Sequence, residues 1–238
     1  MAADAPALAA RLQAYVPPGL LAPSYHAAPA QGLPTLVQAH PSLITVSAWG
    51  FRPAGSDWRD VPPVINARAE TVASTPDVRQ AFQTKRCLVL ADGFSAWQRT
   101  GKGQVPYRIA LQTGEPFAVA GLWSMGQEGP RRPWSRCAIL TTEANRLVAP
   151  LHNRMPVILH PEAEATWLNP EATPAQAQAC LKPLPAHLLR IAAVSPKVNS
   201  PANNSPELLQ RVDMPESALR EQETAAEAGL LVPDPAPV

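Results

Sequence analysis

Twenty-nine of the 238 residues are proline. Each one fixes φ, removes a backbone donor and biases the residue before it away from the helical region. At this density neither long helices nor wide regular sheets can run uninterrupted. The chain is therefore expected to build short strands and helices joined by irregular loops. Its length fits one large domain or two small ones, and a hydrophobic content of 46% is enough to bury a core.

Local signals predict the elements. Asp4 can cap a helix over 4–12, with Pro6 in its first turn and Leu8 and Leu12 at helical spacing. Residues 16–23 read as a Pro-rich connector. Strands are expected over 33–37 and 42–49, then a helix over 75–84 with Thr75 as cap and Pro76 at its first position. Residues 86–91 form a continuous apolar strand. Further strands are expected over 106–111, 116–123 and 134–141, with glycine-containing turns between them. A short helix over 142–149, a strand over 156–159, helices over 161–168 and 173–181, and a strand over 188–194 complete the pattern. Beyond Asp213 the chain turns Glu-, Ala- and Pro-rich, so 214–238 is expected to be a disordered tail. No repeat or interior linker divides the rest. The expected fold is one α+β domain over 1–213, built on a curled, mostly antiparallel sheet or barrel with flanking helices.

Net charge is +1, so any nucleic-acid site must be a local patch. Cys87, Cys137 and Cys180 have neither metal-ligand spacing nor an even disulfide framework, and Cys87 and Cys137 sit in apolar runs that predict buried small hydrophobes. There is no basic-then-apolar leader and no run of about 20 apolar residues. A cytoplasmic monomer without metal, cofactor or membrane contact is expected.

Five motifs, in order along the chain, carry a resemblance. They are Trp49-Gly50-Phe51-Arg52-Pro53, Asn66-Ala67-Arg68-Ala69-Glu70-Thr71, Gly93-Phe94-Ser95-Ala96-Trp97, Thr141-Thr142-Glu143-Ala144-Asn145 followed by His152-Asn153-Arg154-Met155-Pro156-Val157, and Val198-Asn199-Ser200-Pro201 with Ser205-Pro206-Glu207-Leu208. Tyr25-His26-Ala27-Ala28-Pro29 matches a further, weaker segment. Together they resemble the SOS response-associated peptidase family over Tyr25 to Asp213. That family captures abasic sites in single-stranded DNA through a covalent DNA–protein crosslink, with self-processing peptidase and lyase-type activities. No Gly-x-Ser-x-Gly motif supports the rival reading, an unrelated hydrolase using His152.

The resemblance implies roles residue by residue. His152 would transfer protons at the abasic sugar, which suits an imidazole titrating near neutrality. Asn66 would hydrogen-bond the reacting sugar. Arg68 would bind a neighbouring phosphate, because its planar fork matches phosphate oxygens. Trp49 would flank the DNA channel, Thr141 would donate to the DNA backbone, and Arg154 would pair with a phosphate or with a carboxylate. Glu70 would hold Arg68 or a backbone amide. Gly55 stands where the family often has a second Trp, so a stacking platform is expected to shift to Trp58 or be lost. His26, His40, His160 and His187 carry no comparable case.

Two departures matter. The family reads Gly-Phe-Tyr-Glu-Trp with a catalytic Glu, and here that position is Ala96. The family opens Met-Cys-Gly-Arg, the Cys being the nucleophile, whereas this sequence opens Met1-Ala2-Ala3-Asp4, with the first strand apparently missing. A start site further upstream and genuine divergence both account for the second departure. An upstream start does not account for Ala96, which favours divergence. The expectation is recognition of abasic single-stranded DNA with impaired covalent chemistry. The alternative is a non-enzymatic single-stranded-DNA-binding relative.

Overall fold

The computed structural model describes residues 9–53, 55, 61–100, 103–126 and 135–212. Its strands are β1 (Gly32–Val37), β2 (Ile44–Trp49), β3 (Asn66–Arg68), β4 (Arg86–Ala91), β5 (Phe94–Thr100), β6 (Gly103–Leu111), β7 (Phe117–Met125), β8 (Ser135–Glu143), β9 (Arg154–Pro156) and β10 (Leu189–Ala193). Three α-helices are described in full: α1 (Pro76–Thr84), α2 (Pro161–Leu168) and α3 (Pro174–Ala179). The cap expected at Asp4 and the tail beyond Asp213 lie outside the described residues.

The strands form two sheets. The larger runs β2-β1-β4-β7-β8-β3, with β9 also paired to β8. A parallel pairing of β2 with β8, through Ala48–Arg136 and Trp49–Cys137, closes β1, β4, β7, β8 and β2 into a five-strand barrel. The smaller sheet runs β10-β6-β5 and is antiparallel throughout. The expected α+β architecture, a curled and mostly antiparallel sheet with flanking helices, is what the chain builds.

Side-chain alternation divides the large sheet into two faces. Leu88 and Leu90 of β4 and Ala118, Ala120 and Leu122 of β7 pack with Phe82 of α1 and Trp167 of α2. Cys87 and Val89, with Phe117 and Val119, join a second cluster containing Tyr107 and Ile109 of the small sheet. β4 thus buries both parities, which explains its unbroken apolar run. Both expected buried cysteines are 0% exposed. Burial pushes the Cys137 thiol up to about 12 and that of Cys87 well above its ordinary value. Gly121 lies beside Cys87, and a Cβ there would meet Cys87 Sγ and Val89 Cγ2 at 2.9 Å.

One cation sits in the helix-covered layer. Arg86 is 0% exposed. Its guanidinium donates to the carbonyls of Phe82 (2.9 Å) and Gln83 (2.9 Å) near the end of α1, and of Trp167 (2.7 Å) and Asn169 (2.6 Å) at the end of α2. Last-turn carbonyls have no partner within their helix and carry the negative end of the helix dipole. Arg86 satisfies both sets and stacks over the Trp167 ring at 5.7 Å.

Three expectations are corrected. No helix forms over 142–149. β8 instead runs to Glu143, because β9 pairs with it through Thr142–Met155 and Glu143–Arg154. The Asn145 side chain then accepts from the backbone N–H of Leu147 and Val148, an Asx-type turn that competes with helix. The strand expected over 156–159 is β9, two residues earlier, with Ile158 bridging singly to Val119. Thr75 precedes α1 as predicted, but its hydroxyl donates to Thr71 O rather than capping the helix. By contrast, Thr173 caps α3 through a full capping box with Gln176.

Candidate functional site

The face of the large sheet away from the helices is covered only in part by the small sheet. A cleft of about 830 Å³ opens there. It is lined by Trp49, Asn66, Arg68, Ala96, Thr141, His152 and Arg154, so one cavity collects every site residue singled out in the sequence.

Register explains the gathering. β3 lies parallel to β8 with Asn66 beside Ile139 and Arg68 beside Thr141. Ala67, on the opposite parity, is buried in the helix-covered core, which leaves Asn66 and Arg68 exposed on the cleft side. β9 places Pro156 beside Thr141 on the other edge of β8. Trp49 Nε1 donates to Ile65 O at 2.9 Å, fixing the indole next to Asn66.

His152 is exposed, and its Nδ1 is held by its neighbour's backbone. Arg154 N–H lies 3.0 Å from Nδ1 and Arg154 O lies 3.1 Å from it. A neutral ring accepts from that N–H with its proton on Nε2, whereas a charged ring donates to that carbonyl. The backbone of Arg154 therefore offers His152 Nδ1 both a donor and an acceptor.

The Arg154 side chain is held by a carboxylate. Nη1 and Nη2 donate to Glu70 at 3.1 and 2.8 Å, and Nη2 also reaches Thr141 O at 2.7 Å. Glu70 thus grips Arg154, where the sequence suggested Arg68 or a backbone amide. Burial pushes the Glu70 carboxyl up. Hydrogen bonds and charge from Arg154, with backbone N–H groups, outweigh that and hold it below its ordinary value.

The small sheet supplies the opposite wall. β5 is a strand that the sequence did not reveal, and it carries Phe94, Ser95, Ala96, Trp97 and Arg99 into the lining. Ala96 pairs with Tyr107 and is 7% exposed. No carboxylate lies at this position. Among the described residues four arginines (Arg68, Arg99, Arg108 and Arg154) line the cleft against one acid, Asp92, which Arg108 contacts at 3.3 Å. The local excess of cations appears in a chain of near-zero net charge.

The sequence reading singled out none of His26, Asp92, Arg99 and Arg108, all of which line the cleft. His26 stands in the cleft wall on the loop before β1. Trp58 lies outside the described residues.

Comparison with known proteins identifies the family. Residues 1–201 match the family model described as SOS response associated peptidase. The abasic site processing protein YoqW of Bacillus subtilis is 39% identical over 200 residues, covering 82% of this chain and 89% of that protein. The abasic site processing protein YedK of Escherichia coli is 31% identical over 166 residues, 69% of this chain and 73% of that protein. A crystal structure of a Bacteroides thetaiotaomicron protein superposes with a TM-score of 0.79 at 26% identity, covering 89% of this chain and 97% of that one. Motifs, cleft and relatives agree, and the chain belongs to the SOS response associated peptidase family.

Proposed function

We propose that this protein recognises abasic sites in single-stranded DNA through the cleft, with covalent chemistry weakened at Ala96. The observation that carries this reading is the gathering of Asn66, His152 and Arg68 in one arginine-rich cleft. Arg68 and Arg154 bind backbone phosphates, and Thr141 donates to a third backbone oxygen. Arg154 also donates to Glu70, so its phosphate contact competes with that ion pair. Trp49 flanks the strand. A single strand fits because an unpaired nucleotide can enter a narrow cleft without the cost of breaking a duplex.

Asn66 orients the ring-opened sugar, and His152 moves the proton. In the family a carboxylate at position 96 shares that acid–base work. Ala96 cannot exchange a proton, so crosslinking or its reversal is slower by about 10²-fold or more. The peptidase and lyase activities of the family are weakened for the same reason.

The test is a binding titration of the full chain against matched oligonucleotides, intact and uracil-excised, followed by denaturing electrophoresis. Tighter, salt-sensitive binding of the abasic strand with little heat-stable adduct is expected. Equal affinity for both strands would remove abasic recognition. A full yield of heat-stable adduct within minutes would remove the impairment.

A further inference from the structure

His152 draws its hydrogen bonds from the free edge of a strand. β9 pairs antiparallel with β8, and just before it Ala144 N–H donates to Asn153 O at 3.0 Å. Bonded and non-bonded pairs alternate along such a ladder, so the Glu143–Arg154 pair that follows is a non-bonded one. The N–H and C=O of Arg154 therefore point away from β8, and His152 Nδ1 meets them there. The ladder holds the neighbours of Arg154 but not the two groups that hold the imidazole.

The Arg154 side chain anchors its own backbone from the other direction. It crosses β8, and Nη2 donates to Thr141 O at 2.7 Å, the carbonyl that also accepts Ala69 N–H at 2.8 Å. Both Nη groups then reach Glu70, two residues beyond the end of β3. The carbonyl of Ala69 is tied in turn to Gln178 Nε2 at 2.8 Å. β3 and β9 are three residues each and flank β8 on opposite edges. β3 carries Asn66, and His152 stands two residues before β9. The Glu70–Arg154 pair thus joins the segments of Asn66 and His152 across β8.

We propose that Glu70 is a positioning residue of the cleft, acting through Arg154 to hold Asn66 and the His152 imidazole in fixed relation. The inference rests on the DNA reading for what these two groups meet, the sugar of an abasic nucleotide. A bidentate carboxylate–guanidinium pair fixes direction as well as distance. Two groups that converge on one sugar lose their effect when displaced by about 1 Å.

Glu70 also neutralises a cation of the cleft, so its position and its charge pull DNA binding in opposite directions. Glu70→Ala frees Arg154 for phosphate and strengthens binding of any single strand, while loosening Asn66 against His152 erodes the preference for an abasic one. The full chain and the variant are titrated with matched intact and abasic oligonucleotides. Affinity of Glu70→Ala for the intact strand rises about threefold, and the ratio of abasic to intact affinity falls about fivefold. Glu70→Gln, which keeps an acceptor for one of the two bonds, retains more of that ratio. A ratio unchanged in Glu70→Ala overturns the proposal.

The second readout needs no DNA. The chain is labelled with ¹⁵N in its histidines and observed above the imidazole titration, with His152→Asn supplying the assignment. In the parent, His152 Nδ1 stands at the position of an unprotonated acceptor and Nε2 carries the proton. In Glu70→Ala the two nitrogen signals move toward each other as the tautomers mix, while those of His40 and His187 stay in place. Unmoved His152 signals overturn the proposal. If the parent does not distinguish abasic from intact strands while Glu70→Ala still shifts His152, the abasic reading falls and the positioning role of Glu70 stands.

Discussion

The two faces of the large sheet are built from the same strands and serve opposite ends. On one face α1 and α2 close over Leu88, Leu90, Ala120 and Leu122, and the buried Arg86 makes four hydrogen bonds to helix-end carbonyls. On the other face the small sheet covers only part of the surface, and Arg68 and Arg154 line an open cleft. Arg86 is sealed from solvent, whereas the Arg154 side chain keeps 16% of its surface and its Glu70 partner 42%. Burial sets what an arginine does. A sealed guanidinium is a structural tie whose loss strands its acceptors, while one that reaches the cleft can exchange its carboxylate for a phosphate.

The largest effect should come from the sealed side. Arg86→Ala leaves four carbonyls without their donor and should cost about 4 kcal/mol. Thermal unfolding should then fall by roughly 10 °C. Affinity for abasic DNA, per folded molecule, should stay near that of the parent. A Tm within about 2 °C of the parent would break the contrast between the two arginines.

Next is the missing carboxylate. In a version opened with the family's Met-Cys-Gly-Arg strand, Ala96→Glu should speed crosslinking of abasic DNA by about 10²-fold over the same version with Ala96. His152→Ala in the repaired version should abolish the gain. Equal rates with and without the Glu would mean that another group already does its work.

Arg68→Ala should weaken single-stranded binding by about tenfold and lower the salt slope by about one. Its melting temperature should match the parent, because the side chain is exposed. Arg154→Ala should instead weaken binding by less and also lower the Tm slightly, since it loses a phosphate contact and the Glu70 pair together. If Arg68→Ala alone lowers the Tm, the division between binding and structural arginines is wrong.

The smallest effect is proton-linked. The folded-state pKa of Glu70 is held below its ordinary value of 4.5, so the group contributes stability above its unfolded pKa and loses it as pH falls through the folded value. Glu164, paired with Arg11 but more deeply buried, is pushed the other way, desolvation being the larger influence. Its contribution is present below the unfolded pKa and is lost as pH rises through the folded one. Glu70→Gln should therefore flatten the acid limb of the stability profile, and Glu164→Gln should flatten the decline above pH 4.5. Identical profiles for the two variants would cancel the difference between open and buried ion pairs.

Local patterns made much of this molecule legible. The apolar run of β4 and the proline-started helices α1 and α2 follow from residues adjacent in the chain, because strand alternation and helix starts are short-range choices. The motifs around Asn66, Ala96 and His152 were enough to name the family and its altered position. Pairing across the chain was beyond reach. β5 and β3 contain too few apolar residues to stand out, and they exist because β6 and β8 supply their hydrogen bonds. Helix 142–149 failed because β9 claimed Thr142 and Glu143. Glu70 and Arg154 meet across 84 residues, and the loop that carries His26 is tied to Asn204. The sequence by itself determined the short elements, the family and the absence of a carboxylate at Ala96, since each is written in neighbouring residues. Only the tertiary structure decided which arginine is sealed and which is shared with Glu70, because burial and long-range partners arise only when distant segments pack.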